Sequence, residues 1–231
     1  MQFFKHYSFD LWLTLIKSNP SFKIERAKYF HAHHNPLGKS LEEVANVFRN
    51  VDLMVNGINE KSGLNIDAEE MYLMVISTLN NYSPDFSRVN IKDLYLTMEA
   101  LVLEHMPEMY CTESLGILFK LKENGKSTIS LLSNTGFIKG VTLRKILQHL
   151  KIDQVMDFQL YSDEVRMSKP NPRFFQLMID NIDRKRHLSI AHDEIIHIGD
   201  NPIADCKGAN ALGINSLLIN SNHLKINHLL S

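Results

Sequence analysis

Short apolar runs alternate with amphipathic segments along most of this chain, and no other feature of the sequence limits the fold so strongly. Each apolar run is bounded by polar residues or glycine, as buried strands are, and the segments between them repeat apolar residues at helical spacing. Strands that alternate with helices in this way build a parallel sheet with helices on both faces. We therefore predict an α/β fold with a doubly wound parallel sheet. The predicted strands are residues 4–11, Ser127–Leu132, Phe158–Tyr161, Ile195–Ile198 and Ser216–Ile219, and the predicted helices are Glu113–Glu123, Ile138–Leu150, Pro172–Ile182 and Pro202–Leu212.

Residues 19–107 interrupt this alternation with helical patterns alone. Ser40 and Asp67 are suited to cap the N-termini of two of these helices. The insertion leaves the first strand at its carboxyl end, which is the edge of an open α/β sheet where ligands bind. We predict that residues 1–18 and 108–231 form the α/β core and that residues 19–107 form an all-helical cap domain. The predicted cap helices are Phe22–His34, Leu41–Asn56, Ala68–Asn80 and Ile91–His105.

The composition of the 231 residues favours small-molecule chemistry. Hydrophobic residues make up 44% of the chain, and 25 basic residues nearly balance 26 acidic ones. This balance argues against a nucleic-acid partner. Cys111 and Cys206 lack the spacing of a disulfide framework or zinc site, and no apolar run reaches the ~20 residues that span a bilayer. We expect a cytoplasmic monomer or homodimer with no membrane partner.

Polar residues follow several predicted strands at the points where those strands end. Asp10 ends the first strand, and the run Leu132–Gly136 ends the second with a hydroxyl, an amide and free backbone N–H groups. Lys169 lies just before a helix, and Asp200 and Asp205 lie across the turn that follows the fourth strand. Carboxylates grouped in this way are hard oxygen ligands that suit Mg²⁺.

In this order and at these strand ends, the motifs resemble those of the haloacid dehalogenase superfamily, in its branch with a helical cap inserted into a Rossmann-like core. The resemblance covers essentially the whole chain. It implies that Asp10 is the nucleophile of an aspartyl intermediate and that Thr14 supports its loop. It also implies that Ser133 and Asn134 bind the transferring group and that Lys169 holds both that group and the Asp10 carboxylate.

The same resemblance implies a Mg²⁺ cofactor and a small phosphorylated substrate. The metal ligands would be Asp10, the backbone carbonyl of Trp12 and Asp200, with Asp205 contacting the metal directly or through water. Phosphoryl transfer depends on positioning and charge neutralisation, which a lysine and a divalent cation supply.

Trp12 departs from the family pattern, because phosphatases of this family carry a second aspartate at that position as general acid and base. Indole is a hydrogen-bond donor with no proton to transfer at ordinary pH, and loss of a general acid typically costs ~10²- to 10⁴-fold in rate. The sequence leaves three readings open: a phosphatase that is slow or acts on good leaving groups, a 2-haloacid dehalogenase, and a protein that binds a phosphorylated ligand with little or no turnover.

Asp200 favours the first reading over dehalogenation, since an extra anionic group beside Asp10 repels a carboxylate substrate unless a cation neutralises it. We therefore predict a Mg²⁺-dependent phosphatase. Arg26, Arg49 and Arg88 in the predicted cap are candidates for contacting a substrate anion, and Leu13 stands where the family usually has glycine.

Overall fold

The computed structural model describes residues 3–123, 125–186 and 189–230. Its strands are β1 (His6–Phe9), β2 (Ile16–Lys17), β3 (Glu108–Met109), β4 (Thr128–Ser133), β5 (Phe158–Tyr161), β6 (Ile195–Gly199) and β7 (Asn215–Leu218). Its α-helices are α1 (Pro20–His33), α2 (Leu41–Ser62), α3 (Ala68–Leu79), α4 (Ile91–Glu104), α5 (Ser114–Lys122), α6 (Gly140–His149), α7 (Ser162–Val165), α8 (Pro172–Arg186) and α9 (Gly208–Asn210).

The main sheet has five parallel strands in the order β5-β4-β1-β6-β7, which confirms the predicted fold class. The chain winds from β1 outward to one edge through β4 and β5, and to the other edge through β6 and β7. Phe9 of β1 lies in register with Leu131 of β4 and Ile198 of β6, so the carboxyl ends of these three strands lie at the same edge of the sheet. The strand order reverses on either side of β1, and the crevice at such a switch point is where α/β sheets bind ligands.

Helices α1 to α4 follow β1 and precede β4, and we call this segment the helical insert (residues 20–104). It has a core of its own, in which the rings of Phe30, Phe48 and Tyr72 pack together. Ser40 caps α2 as predicted, since its hydroxyl accepts from the Glu43 N–H while the Glu43 carboxylate accepts from the Ser40 N–H. The predicted division of the chain into two domains stays a prediction.

A two-residue antiparallel ribbon of β2 and β3 joins the insert to the sheet. Ile16 pairs with Met109 and Lys17 with Glu108, so the chain leaves and re-enters the sheet side by side. These strands were not predicted, because two residues are too few to show an alternating pattern. Among the residues that the structure describes, no helix has both the length and the apolar character needed to cross a lipid bilayer.

The segment predicted as a helix from Pro202 to Leu212 instead begins with a π-helical turn, Pro202–Lys207. Asn201 explains the start of this turn, since its side-chain oxygen accepts from the N–H groups of Ile203 and Ala204. π-Helical turns are rare and are frequently found at functional sites. This one carries Asp205 towards the end of the sheet.

His6 is fully buried in β1 and should make stability depend on pH. Its ring nitrogens bond to the hydroxyls of Thr128 and Ser130, and burial, reinforced by the charge of Arg186 and by the nearby His197, lowers its pKa to about 3. Below the unfolded pKa of about 6.5 only the unfolded chain takes up this proton, so His6 alone lowers the free energy of unfolding by about 1.4 kcal/mol per pH unit.

The measurement is denaturant unfolding of wild type and His6→Asn between pH 7 and pH 4.5, a window set by the unfolded and folded pKa values of histidine. Asparagine keeps two hydrogen-bonding atoms and does not titrate. The free energy of unfolding should change less steeply with pH in the variant. The difference in slope should correspond to the uptake of about one proton on unfolding. Identical slopes would show that His6 is not held neutral in the folded state.

Candidate active site

Asp10 lies directly after β1, at the switch point of the sheet. Its backbone N–H donates to the Ile198 carbonyl at 2.8 Å, which extends the β1–β6 ladder by one step and fixes where the carboxylate leaves the sheet. The Thr14 hydroxyl donates to Asp10 Oδ2 at 3.1 Å. Leu13 between them has φ 59°, a left-handed conformation that glycine adopts without steric cost, so a tight loop that suits glycine carries leucine here.

Lys169 is almost completely buried, with its ammonium between two carboxylates. Nζ lies 2.7 Å from Asp10 Oδ1 and 2.6 Å from Asp205 Oδ1. Asn134 holds the lysine backbone from both sides, because its amide nitrogen donates to the Lys169 carbonyl at 3.0 Å and its oxygen accepts from the Lys169 N–H at 2.7 Å. The end of β4 therefore positions the lysine that neutralises Asp10.

Asp205 accepts hydrogen bonds from three groups of the protein. Lys169 and His197 Nε2, the latter at 3.0 Å, donate to Oδ1, and the Asn201 N–H donates to Oδ2 at 2.9 Å. An ionised carboxylate only accepts, so Nε2 of His197 carries the ring proton and Nδ1 accepts from the Ser8 hydroxyl at 2.9 Å. Asp205 is thus held rigidly and holds Lys169 in turn.

Gly199 allows Asp205 to approach the end of β6. A Cβ atom built on Gly199 would lie 2.0 Å from Asp205 Oδ2. Any side chain at this position would displace the carboxylate, so the glycine before Asp200 is required by close packing.

The acidic groups outnumber the cations at this edge of the sheet. Asp10, Asp200 and Asp205 each place an oxygen within 4.8 Å of the other two. Burial raises the pKa of Asp10 to about 6, with Lys169 opposing and Asp205 reinforcing the shift. Burial and the charges of Asp10 and Asp205 raise the pKa of Asp200 to about 7. A further positive charge would relieve this repulsion.

Lys169 and Asp205 are both charged despite their burial. Burial alone would lower the pKa of Lys169, but Asp10 and Asp205 hold it above its ordinary value. Burial alone would raise the pKa of Asp205, but Lys169 and His197 hold it well below its usual range. The acidic groups that could hold a metal are all carboxylates, whose oxygens fit Mg²⁺ and do not fit softer metals that prefer nitrogen or sulfur.

A cavity of about 790 Å³ lies between the sheet edge and the helical insert. Asp10, Lys169 and Asp200 form its floor, and Trp12 is part of its wall. Its volume is in the range of a small-molecule site. The residues that line it from the insert are Phe22, Lys23, Arg26, Ala45, Asn46, Phe48, Arg49, Asp52, Leu53, Asn56 and Glu60.

The two predicted phosphoryl-binding residues at the end of β4 make other contacts in the structure. Ser133 is fully buried, its hydroxyl donates to the Asn134 carbonyl at 3.1 Å, and it does not line the cavity. Asn134 lines the cavity but uses its amide to hold Lys169. The next residues, Thr135 and Gly136, also line the cavity.

Sequence reasoning missed His197 and Asn201, and one of its three arginine candidates for contacting a substrate anion lies away from the site. Arg88 is on the outer surface, where its side chain is 87% exposed, pairs with Asp85 at 3.3 Å and lies outside the cavity. His197 gave no signal, because a histidine inside an apolar strand looks like an ordinary buried residue. Asn201 stood directly after Asp200, where a polar residue before Pro202 is a recognisable cap.

Comparison with known proteins places the sequence within one family. The family described as haloacid dehalogenase-like hydrolase matches residues 9–219. A curated relative, the Rhythmically expressed gene 2 protein of Drosophila melanogaster, is 38% identical over 63 residues. That stretch is 27% of this chain and only 23% of the fruit-fly protein.

Solved structures share the fold over nearly the whole chain. The HAD-hydrolase YfnB from Bacillus subtilis, bound to magnesium, aligns with a TM-score of 0.75 and 14% identity over 99% of this chain and 97% of that one. A HAD phosphatase from Thermococcus onnurineus gives 0.65 and 17% identity, covering 96% and 88% of the two chains. A 2-haloacid dehalogenase from Pseudomonas syringae pv. Tomato gives 0.64 and 16%, covering 98% and 96%. Identities this low show a common fold and leave the reaction open.

Proposed function

Because this chain belongs to the family of haloacid dehalogenase-like hydrolases, we propose that it is a Mg²⁺-dependent phosphatase that hydrolyses a small phosphate monoester through an intermediate on Asp10. One observation carries the proposal: the buried pair of Asp10 and Lys169 lies beside Asp200 on the floor of a cavity of about 790 Å³. The helical insert acts as the cap over this site.

In the first step a carboxylate oxygen of Asp10 attacks phosphorus, the bond from phosphorus to the ester oxygen breaks, and the leaving oxygen takes a proton from solvent water because Trp12 has none to transfer. Lys169 contributes positive charge where the phosphoryl oxygens gather, and it keeps Asp10 ionised despite burial. Thr14 orients the nucleophile from the other oxygen. In the second step water attacks phosphorus and gives a proton to solvent, the bond from phosphorus to the Asp10 oxygen breaks, and inorganic phosphate and the free Asp10 carboxylate are released.

The metal would be held by Asp10, Asp200 and the backbone carbonyl of Trp12. We assign Asp205 to a contact through water, because three protein donors already bond to its two oxygens. When bound, Mg²⁺ supplies Lewis-acid stabilisation of the charge on the transferring group. The fit of Mg²⁺ to this site rests on the excess of carboxylates over cations among the clustered side chains.

Asp200 supports phosphatase chemistry over dehalogenation. It forms no salt bridge among the residues that the structure describes, and its carboxylate faces the same cavity as Asp10. A haloacid carries its own carboxylate, which these two acids would repel without a cation. A phosphate ester with bound Mg²⁺ matches the charges of the site.

A substrate panel tests the proposal directly. Purified protein is assayed with acetyl phosphate, an aryl phosphate, alkyl phosphates and 2-chloropropionate, in Mg²⁺ and in chelator. We expect turnover of phosphate esters that requires Mg²⁺, fastest with the good leaving groups. Chelator-resistant release of chloride would replace the proposal with dehalogenation, and Mg²⁺-dependent binding without turnover would replace it with a ligand-binding role.

Substitution Asp200→Asn should weaken Mg²⁺ binding by roughly 10- to 100-fold, since it removes an anionic ligand and retains the shape of the side chain. Isothermal titration of Mg²⁺ into wild type and variant measures the change. Asp163→Asn is a matched control, because that carboxylate accepts from the Gly140 N–H and does not line the cavity. Equal Mg²⁺ affinity in D200N and wild type would exclude Asp200 as a ligand.

A further inference from the structure

Arg26 of α1 is a buried cation that the proposed chemistry does not use. Only 8% of the residue is exposed, and its Nε atom is buried without a hydrogen-bond partner. Arg26 nevertheless lines the same cavity as Asp10. A buried N–H group without a partner is costly, and a cation that has one in a binding cavity is a candidate for binding an anion.

Aromatic rings hold the Arg26 guanidinium in place. Its central carbon lies 4.1 Å from the ring centre of Phe48, 4.6 Å from that of Phe137 and 5.1 Å from that of Phe22. These contacts stabilise the cation, and they leave its Nε–H group without a hydrogen-bond partner. The side chain is therefore prepared for a ligand before any ligand arrives.

The acidic neighbour of Arg26 does not neutralise it by direct contact. Asp52 also lines the cavity, but the two side chains form no salt bridge within 4.0 Å. Burial lowers the pKa of Arg26, while the Tyr72 hydroxyl and Asp52 oppose that shift. Burial likewise raises the pKa of Asp52, which reduces its competition for the guanidinium.

The side of the cavity formed by the helical insert differs in charge from its floor. Among the described residues that line it, the insert contributes Lys23, Arg26 and Arg49 against two acids, Asp52 and Glu60. Glu60 is already bonded to the Asn201 amide at 2.6 Å. The floor, by contrast, has more acids than cations and is where the proposed metal and phosphoryl group bind. The part of the substrate that faces the insert therefore meets an excess of positive charge.

From this arrangement we infer that Arg26 is an anion-binding residue, and that the preferred substrate carries, besides the phosphoryl group that is transferred, a second anionic group in the portion that leaves. A carboxylate and a further phosphate share the chemistry that a guanidinium recognises. The inference deepens the proposed function and rests on it, since it assigns the leaving portion of the substrate to the Arg26 side of the cavity.

Matched esters test this inference. 3-Phosphoglycerate and glycerol 3-phosphate differ in one group, a carboxylate in place of a hydroxymethyl, and fructose 1,6-bisphosphate and fructose 6-phosphate differ in a second phosphate. We expect wild type to have a higher kcat/KM for the more anionic member of at least one pair. The pair in which this preference appears shows whether the second anionic group is a carboxylate or a phosphate. Charge-assisted hydrogen bonds of this kind correspond to roughly 10- to 100-fold in affinity.

Arg26→Gln should reduce that preference by roughly 10- to 100-fold, and Arg26→Lys should retain part of it. Arg88→Gln is the control, because Arg88 lies outside the cavity and its loss should leave the preference unchanged. A wild-type enzyme with no preference within either pair overturns the inference. So does a folded R26Q variant that loses activity equally on both members, since Arg26 would then serve the transferred phosphoryl group.

Equilibrium binding separates this inference from the proposed function. Asp10→Asn lacks the nucleophile, and titration of each ester into it with Mg²⁺ present measures recognition without turnover. Tighter binding of the anionic esters supports the role of Arg26 even if the panel finds no phosphatase activity. Equal binding of both members of each pair contradicts it even if the phosphatase activity is found.

Discussion

Replacing Lys169 with methionine is expected to lower phosphatase turnover by roughly 10²- to 10³-fold and to destabilise the metal-free protein by about 3–5 kcal/mol. The ammonium group bonds to both Asp10 and Asp205, and all three side chains are 10% exposed or less. Methionine retains the length of the side chain and removes its charge. Two buried carboxylates would then lose the cation that keeps them ionised.

The measurements are kcat with an aryl phosphate and the free energy of unfolding, each with Mg²⁺ and with chelator. Mg²⁺ should recover part of the lost stability, because it neutralises the same carboxylates. Lys5→Met is the matched control, since Lys5 pairs with Glu194 at the surface and such exposed pairs contribute little to stability. If K169M and K5M have equal effects, the buried lysine is not the group that activates Asp10.

Replacing Trp12 with aspartate is expected to raise kcat/KM for alkyl phosphates by roughly 10²-fold or more, because it supplies the general acid that the family usually has at this position. Acyl phosphates have good leaving groups and should gain far less. The comparison is made in kcat/KM because that ratio reports the steps that form the intermediate. Trp12 lines the cavity wall, so a carboxylate at this position can reach a bound ester.

Trp12→Asn is the control for this experiment. It makes the same change in volume and in packing against the core, and it has no proton to transfer at neutral pH. The gain on alkyl phosphates should therefore appear in W12D and be absent from W12N. A gain of equal size on acyl and alkyl phosphates would show that the tryptophan limits the reaction in some other way.

The main sheet and most of its helices were predictable from the sequence, because buried parallel strands and amphipathic helices leave clear patterns of apolar residues. The predictions missed the β2–β3 ribbon, whose two-residue strands show no period. Helix α2 also runs to Ser62, beyond the predicted end at Asn56. Gly57 and Asn59 weaken the helical pattern there, but packing continues it to Gly63, whose left-handed conformation ends it.

The acidic residues and the lysine of the candidate site were predictable as a group, since a parallel sheet brings its carboxyl ends together. The hydrogen bonds that hold these side chains in place were not predictable from the sequence. The sequence could not show that Asn134 would hold the Lys169 backbone, or that His197 would hold Asp205 from inside a strand. Arg26, Arg49 and Arg88 were equivalent in the sequence, and only the packing of the insert separates the two that line the cavity from the one that does not.

The central claim is that Asp10 is phosphorylated during turnover, and chemical trapping tests it most directly. Without a base at residue 12, the second step should be slow and the aspartyl phosphate should accumulate. Protein is mixed with acetyl phosphate and Mg²⁺, quenched in acid and reduced with borohydride, which converts a phosphorylated aspartate to homoserine. We expect peptide mass spectrometry to find homoserine at position 10, and not after chelation or in Asp10→Asn. Steady release of phosphate with residue 10 unmodified, or homoserine at position 200 or 205 instead, would contradict the account.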